Sequence, residues 1–230
     1  MRNAPDALML FAAGFGTRMG ALTADRPKPM IPVAGKPLID HALEQINGFS
    51  ISTIVANLHY KPEHIASHLA GSGIQFSDES DEILETGGGL RAALPKLGDG
   101  PVFTMNTDAV WQGPNPLAML AQNWDPKKMD ALLLCVPLEH AVNHAGSGDF
   151  LIDTVGCARR GPGLVYSGLQ IIKTEGLNAI PDRAFSLNVL WNQMLDKGRL
   201  HAIAYPGQWV DVGSPEGILA AEAVLGEGNV

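Results

Sequence analysis

The first apolar run of the chain, ALMLFAA at 7–13, shows no alternation of polar and apolar positions and ends in glycine. Such a run reads as a strand covered on both faces. Similar runs recur at 52–57 (STIVAN), 73–78 (GIQFSD), 101–106 (PVFTMN) and 130–136 (DALLLCV), with stretches of helical character between them. Strands alternating with helices predict an α/β fold: a mostly parallel sheet with helices on both faces.

The helical stretches carry their own boundary signals. Pro37 and Pro62 suit first helical positions, where a missing N–H costs nothing, and Thr86 is placed to cap the segment GGGLRAALPKL. FSLNVLWNQMLDKG ends at Gly198, while SPEGILAAEAVL opens with Ser214 as cap and Pro215 in its first turn. The stripe Leu187, Leu190, Trp191, Met194 and Leu195 reads as core packing. Between Val136 and Tyr166 the pattern weakens: Gly146, Gly148, Gly156, Gly161 and Gly163 break it into short strands or loops, expected to cover a pocket. No internal repeat or low-complexity tract interrupts the chain.

With 230 residues, 46% of them hydrophobic, the chain can bury a substantial core as one α/β domain spanning 1–230. No apolar stretch approaches the ~20 residues of a membrane span. The run at 7–13 is too short for a signal peptide, so a cytoplasmic setting without membrane partners is expected. Cys135 and Cys157 have no metal-ligand spacing and are expected to stay reduced. The pairs His64/His68 and His140/His144 have helical spacing but no recognisable third ligand, so zinc is not expected.

A net charge of −8 argues against a nucleic-acid partner. The segment 14–36 runs the other way, with Arg18, Arg26, Lys28 and Lys36 against the single acid Asp25. A local cationic patch on an acidic protein suits a small polyanion.

That patch begins with a glycine loop. In FAAGFGTRMG, Gly14 and Gly16 let backbone N–H groups approach a phosphate that a Cβ would block. The spacing matches neither the dinucleotide fingerprint, which needs a third glycine at Met19, nor the P-loop, since Gly35-Lys36 precedes Pro37. Pro27 and Pro29 restrict the backbone around Lys28. An arginine fork with a lysine point charge suits a triphosphate, although a bare glycine turn beside solvated cations would look the same over so few residues. Two acids, Asp108 after PVFTMN and Asp211 after QWV, are expected at strand ends, where ligands of open α/β sheets collect. Read alone, Asp108 serves equally as an Asx-turn residue, and Asp211 as a loop acid ahead of a helix.

The whole stretch AAGFGTRMGALTADRPKPMIPVAGKPLIDH resembles the nucleotide-binding signature of the sugar-phosphate nucleotidyltransferase family, while NTDAVW and WVDVGS resemble its two metal-aspartate segments. The resemblance implies a Rossmann-like three-layer α/β/α nucleotide-diphospho-sugar transferase fold, with 1–110 mainly binding nucleotide and 111–230 mainly binding sugar. It implies Mg²⁺-dependent transfer of a nucleotidyl group from a nucleoside triphosphate to a sugar 1-phosphate, with release of pyrophosphate. Arg18, Lys28, Asp108 and Asp211 are then the catalytic residues, and Asp108 and Asp211 hold Mg²⁺. Ala13, Gly14, Gly16 and Thr17 join Arg18 and Lys28 around the nucleotide, with Asn57, Thr86 and Gly87 nearer the base. Because a sugar phosphate is already mostly dianionic at neutral pH, its second pKa being ~6, no general base is required.

GDF at 148–150 and YSG at 166–168 resemble the sugar contacts of short family members and point to Asp149 and Gly168. Two departures stand out. Ala21 replaces a proline common in the family, and the Glu-Lys pair of longer relatives is missing, Arg159 and Arg160 being the nearest cations. Within the family the likeness runs to the short N-acetylmuramate α-1-phosphate uridylyltransferases, which favours UTP. Mannose-1-phosphate guanylyltransferases and phosphocholine-type cytidylyltransferases are the enzymatic alternatives; a non-catalytic nucleotide-sugar sensor is the alternative of another class.

Overall fold

A computed structural model describes residues 4–227. β1 (Ala7–Phe11) runs into the glycine loop, which continues through 3-10 turns at Thr17–Thr23 and Lys28–Met30 and a small hairpin of β2 (Pro32–Val33) and β3 (Lys36–Pro37). Next come α1 (Leu38–Glu44), β4 (Thr53–Leu58), α2 (Pro62–His68), β5 (Gln75–Asp78), α3 (Glu85–Leu97) and β6 (Val102–Asn106). The second half holds β7 (Ala109–Gln112), α4 (Pro116–Asn123), β8 (Ala131–Val136), β9 (Ala141–Val142), β10 (Phe150–Ile152), β11 (Ala158–Arg160) and β12 (Val165–Ile172). It ends with α5 (Asn188–Asp196), β13 (Leu200–Ala204), β14 (Gln208–Asp211) and α6 (Pro215–Glu227).

The main sheet has the order β13-β8-β12-β6-β1-β4-β5. Every neighbouring pair is parallel except those of β12, which runs antiparallel to both β6 and β8. The lack of alternation in the apolar strands has its reason here, because both faces are covered. In β1, Ala7 and Met9 pack towards α3 and α5 while Leu8 and Leu10 pack towards α1 and α4. α6 instead seals Val110 of β7 and Val210 of β14. The chain steps from β1 to β4 and β5 on one side, then returns to β6 on the other. The order therefore reverses beside β1, where an open α/β sheet forms its ligand crevice.

Several boundaries differ from the sequence reading. Pro37 closes β3 and stands just before α1, one position earlier than expected. Thr86 is no cap: it lies within the first turn of α3, and its hydroxyl accepts a hydrogen bond from the Leu187 N–H (3.0 Å). β12 and β13 were not anticipated. Gly168 breaks the apolar run of β12 at a bulge between Tyr166 and Leu169, where its φ is +84°. Among the described residues no helix is long and apolar enough to cross a membrane.

Candidate active site

β1, β4 and β6 end together at one edge of the sheet, around a cavity of about 410 Å³. Ala13 and Gly14 line it from the loop after β1, Asn57 from the end of β4, Asn106, Thr107 and Asp108 from the end of β6, and Lys28 and Thr86 from the sides. Thr107 ties two of these ends together by donating from Oγ1 to the Phe11 carbonyl (2.8 Å).

The proline-flanked turn buries Lys28 to 8% exposure and aims its Nζ at Asp108 Oδ2, 2.7 Å away. Gly16 makes that placement possible. Its backbone is left-handed (φ +64°), and a Cβ there would lie 2.8 Å from the Cβ of Lys28. The loop thus packs directly on the stem of the lysine.

β14 pairs antiparallel with β7, setting Asp211 opposite Ala109, and the Val212 N–H donates to the Asp108 carbonyl (3.0 Å). The two aspartates, far apart in sequence, become neighbours across this pairing. Burial raises the Asp211 pKa, the charge of Asp108 raises it further, and Lys28, Arg18 and His144 oppose that rise. Arg18, which follows Thr17 in the turn after the loop, brings its guanidinium beside Asp211. Both ends converge on Gly213, where a Cβ would meet Arg18 Nη2 and Asp211 Oδ1 at 2.8 Å each. Asn143 supports the strand behind Asp211 by donating from Nδ2 to its carbonyl (2.8 Å).

Two oxygen-bearing side chains suit a hard cation that keeps waters and takes its remaining ligands from phosphates, as Mg²⁺ does. Among the described residues no group of three or more His, Cys, Asp and Glu side chains could hold a metal on its own. The donor set therefore fits Mg²⁺ bound together with a phosphate ligand.

The residues expected nearer the base each have protein partners of their own. Both polar atoms of Asn57 are bonded, its Oδ1 accepting from the Ala12 N–H (2.8 Å) and its Nδ2 donating to Glu79 Oε1 (2.7 Å). Gly87 is covered by Phe185 and donates its N–H to the Phe185 carbonyl (2.8 Å), leaving Thr86 as the neighbour with surface on the cavity. Sequence reasoning missed Glu79, a carboxylate only 3% exposed whose Oε2 accepts from the Leu84 N–H, because its SDES context reads as a plain turn. It also missed Ser186, which lies on the cavity wall together with Glu85. Glu85 holds a left-handed backbone (φ +58°) at the start of α3, a conformation the letters of ETGGG do not reveal.

The two sugar-side candidates lie beyond Asn106. A Cβ on Gly168 would lie 2.8 Å from the Asn106 side chain, and Asp149 Oδ2 accepts the Tyr166 N–H (2.8 Å), bracing the bulge of β12. Arg160, opposite Phe150 in the β10–β11 ladder, lies over the rings of Phe150 (4.7 Å) and Trp191 (5.6 Å). Of the remaining polar candidates, Cys135 is buried in β8, Cys157 lies 3.5 Å from His201 Nε2, and His68 pairs with Asp40 at 2.7 Å.

Comparison with known proteins bears on this geometry. Residues 8–160 match the model of the MobA-like NTP transferase domain. The chain is 40% identical to an N-acetylmuramate alpha-1-phosphate uridylyltransferase from Caulobacter vibrioides, over 99% of this chain and 100% of that enzyme. It is 27% identical to a mannose-1-phosphate guanyltransferase from Hypocrea jecorina, over 92% of this chain but 62% of that enzyme. Among solved structures, HddC from Yersinia pseudotuberculosis complexed with GMP-PN superposes with a TM-score of 0.76 at 23% identity, covering 95% of this chain and 99% of HddC, a likeness of fold.

Proposed function

Because this chain belongs to the MobA-like NTP transferase family, we propose that it transfers a uridylyl group from UTP to N-acetylmuramate α-1-phosphate, releasing pyrophosphate. The observation that carries the reading is the meeting of Asp211 and Arg18 with Lys28 and Asp108, two residues that line the cavity together with Ala13 and Gly14. In this reading the loop amides from Ala13 to Thr17 hold the triphosphate, Gly16 leaves room for the stem of Lys28, and Arg18 neutralises the outer phosphates. Lys28 stands between the α-phosphate and the incoming sugar phosphate, offsetting repulsion between two anions. Asp108 and Asp211 hold Mg²⁺, which when bound supplies charge stabilisation at the phosphoryl oxygens. Asn57 acts through Glu79 to fix the shape of the base end, and Thr86 approaches the base. Asp149 and Gly168 shape the sugar end.

The sheet shared by strands from both halves supports reading 1–230 as one catalytic domain, its first half serving mainly nucleotide and its second mainly sugar. The cytoplasm, where nucleoside triphosphates are abundant, is the setting we assign. Guanylyl transfer to mannose 1-phosphate is a second reading, favoured by the likeness to the Hypocrea enzyme.

The test is pyrophosphate release from purified protein and Mg²⁺ with UTP, GTP or CTP, each paired with N-acetylmuramate 1-phosphate, mannose 1-phosphate or phosphocholine. Fastest turnover with UTP and the muramate supports the first reading, and GTP with mannose 1-phosphate would replace it by the second. Triphosphate binding without turnover in any pair would turn the protein into a nucleotide sensor.

A further inference from the structure

Arg160 has a setting that surface decoration does not explain. The residue is exposed, yet its guanidinium is stacked over Phe150 and Trp191, whose rings meet edge-on at 6.0 Å. Its protein hydrogen bonds run from Nη2 alone, to Asn188 Oδ1 (2.5 Å) and Asn192 Oδ1 (3.4 Å). Nε and Nη1 donate to nothing among the described residues, and no carboxylate forms an ion pair with the group. Asp149 acts on it only at longer range. An arginine fork held flat by two rings and two amides, with donors left over, is pre-organised for a planar anion.

Its position connects it to the cavity. Asn188, which accepts from Arg160, donates from Nδ2 to Ser186 Oγ (3.0 Å), and Ser186 lines the cavity wall. On the other side, Arg160 stands opposite Phe150, the residue after Asp149, which braces the bulge beside Gly168 and Asn106. Arg160 is thus one hydrogen-bonded residue away from the cavity-lining Ser186, and pairs in the ladder with the neighbour of Asp149. In the function proposed above, the phosphate end of the sugar is drawn to Lys28, Asp108 and Asp211, so the group that reaches Arg160 belongs to the far end of the sugar.

We propose that Arg160, stacked on Phe150 and Trp191 and steadied by Asn188, recognises a carboxylate carried on the sugar ring of the acceptor and so selects acidic over neutral sugar 1-phosphates. This rests on the nucleotidyl-transfer reading and assigns the selectivity within it. Neither a lysine point charge nor a neutral amide reproduces the flat two-donor edge, so the choice of arginine follows from the anion's shape. Asp149, close by, repels the same carboxylate unless the guanidinium lies between them, which narrows the productive pose.

The test compares kcat and KM of the full-length protein and its Arg160→Gln and Arg160→Lys variants. The acceptors are N-acetylmuramate 1-phosphate and N-acetylglucosamine 1-phosphate, which lacks the carboxylate, each with saturating UTP and Mg²⁺. The parent is expected to prefer the acidic sugar. Arg160→Gln is expected to lower the acidic-to-neutral ratio of kcat/KM about ten- to a hundredfold, the loss falling in KM, as for removal of a charge-assisted hydrogen-bonding partner. Arg160→Lys is expected to restore only part of the ratio. Thermal melting of each variant identifies a packing defect, which would depress turnover of both sugars alike. An unchanged ratio in Arg160→Gln, or equal losses for both sugars, overturns the role of Arg160 while leaving nucleotidyl transfer intact. A parent without preference for the acidic sugar overturns the carboxylate class. Absence of turnover with every sugar and triphosphate brings down the underlying reading, and the assignment with it.

Discussion

Gly213→Ala separates the geometry of the reacting groups from the stability of the fold. The new Cβ would sit 2.8 Å from both Arg18 Nη2 and Asp211 Oδ1. Comfortable contact needs about 3.5 Å, so each group must retreat by roughly 0.7 Å or the turn must shift by as much. Both atoms are the free ends of side chains that can swing, so the cost to folding is small, under about 1 kcal/mol, below the usual range for overpacking a rigid core. Catalysis is less forgiving, because misplacement by about 1 Å can cost a hundredfold in rate. The expected result is a fall in kcat of about ten- to a hundredfold in a pyrophosphate-release assay. The melting temperature should stay within about 2 °C of the parent, since 1 kcal/mol moves a chain of this size by ~2–4 °C. A kcat within threefold of the parent would refute the claim that Arg18 and Asp211 act together. A large drop in melting temperature would instead make Gly213 an ordinary packing position.

Asp108→Asn should lower kcat at least about a hundredfold while changing triphosphate affinity little, as for a charge needed mainly in the transition state; near-normal turnover would remove Asp108 from the ion site. Lys28→Met leaves Asp108 facing Asp211 without the cation that pairs with it, Arg18 remaining beside Asp211. It should destabilise the fold by about 1–2 kcal/mol, less than the rupture of a fully buried pair, because a third of the Asp108 side chain remains in water. Chemical denaturation with and without Mg²⁺ checks this, and the ion should return part of the loss. Asp211 has a raised carboxyl pKa, so its protonated form favours the fold, and that benefit disappears as pH climbs from about 4 through the raised value. Asp211→Asn should therefore melt higher than the parent at pH 7 in a chelator, lose that advantage towards pH 4, and be inactive; a lower melting point at pH 7 would contradict the sign. Gly88→Ala would place a Cβ 2.5 Å from the backbone carbonyl of Arg183, which cannot swing aside. A net loss of about 1–2 kcal/mol is expected after the helix-propensity gain, and an unchanged melting curve would deny the close packing.

The fold was legible where burial on two faces left its mark. β1, β4, β6 and β8 are apolar without alternation, and that pattern follows from layers above and below. β12 escaped because Gly168 sits in the middle of an otherwise apolar strand, where the sequence reads as a breaker and the backbone makes a bulge. The glycine loop and the two aspartates were singled out by the resemblance of the segments they stand in; read alone, each left another role open. The cavity wall formed by Glu79 and Ser186 resisted for the opposite reason. Glu79 and Ser186 reach the cavity from separate segments, and nothing local to either residue announces it. Gly87 was expected near the base, yet its N–H and that of Gly88 both go to the Phe185 carbonyl, a long-range partner no spacing rule supplies.

The pairing of β14 with β7 sets Asp211 beside Asp108, although the two residues stand far apart in sequence. Met19, Ile31 and Val33, from the segment after the glycine loop, share a buried cluster with Val210 and Val212. Loosening β14 would therefore part the two carboxylates and uncover the underside of the loop at once, without altering either aspartate.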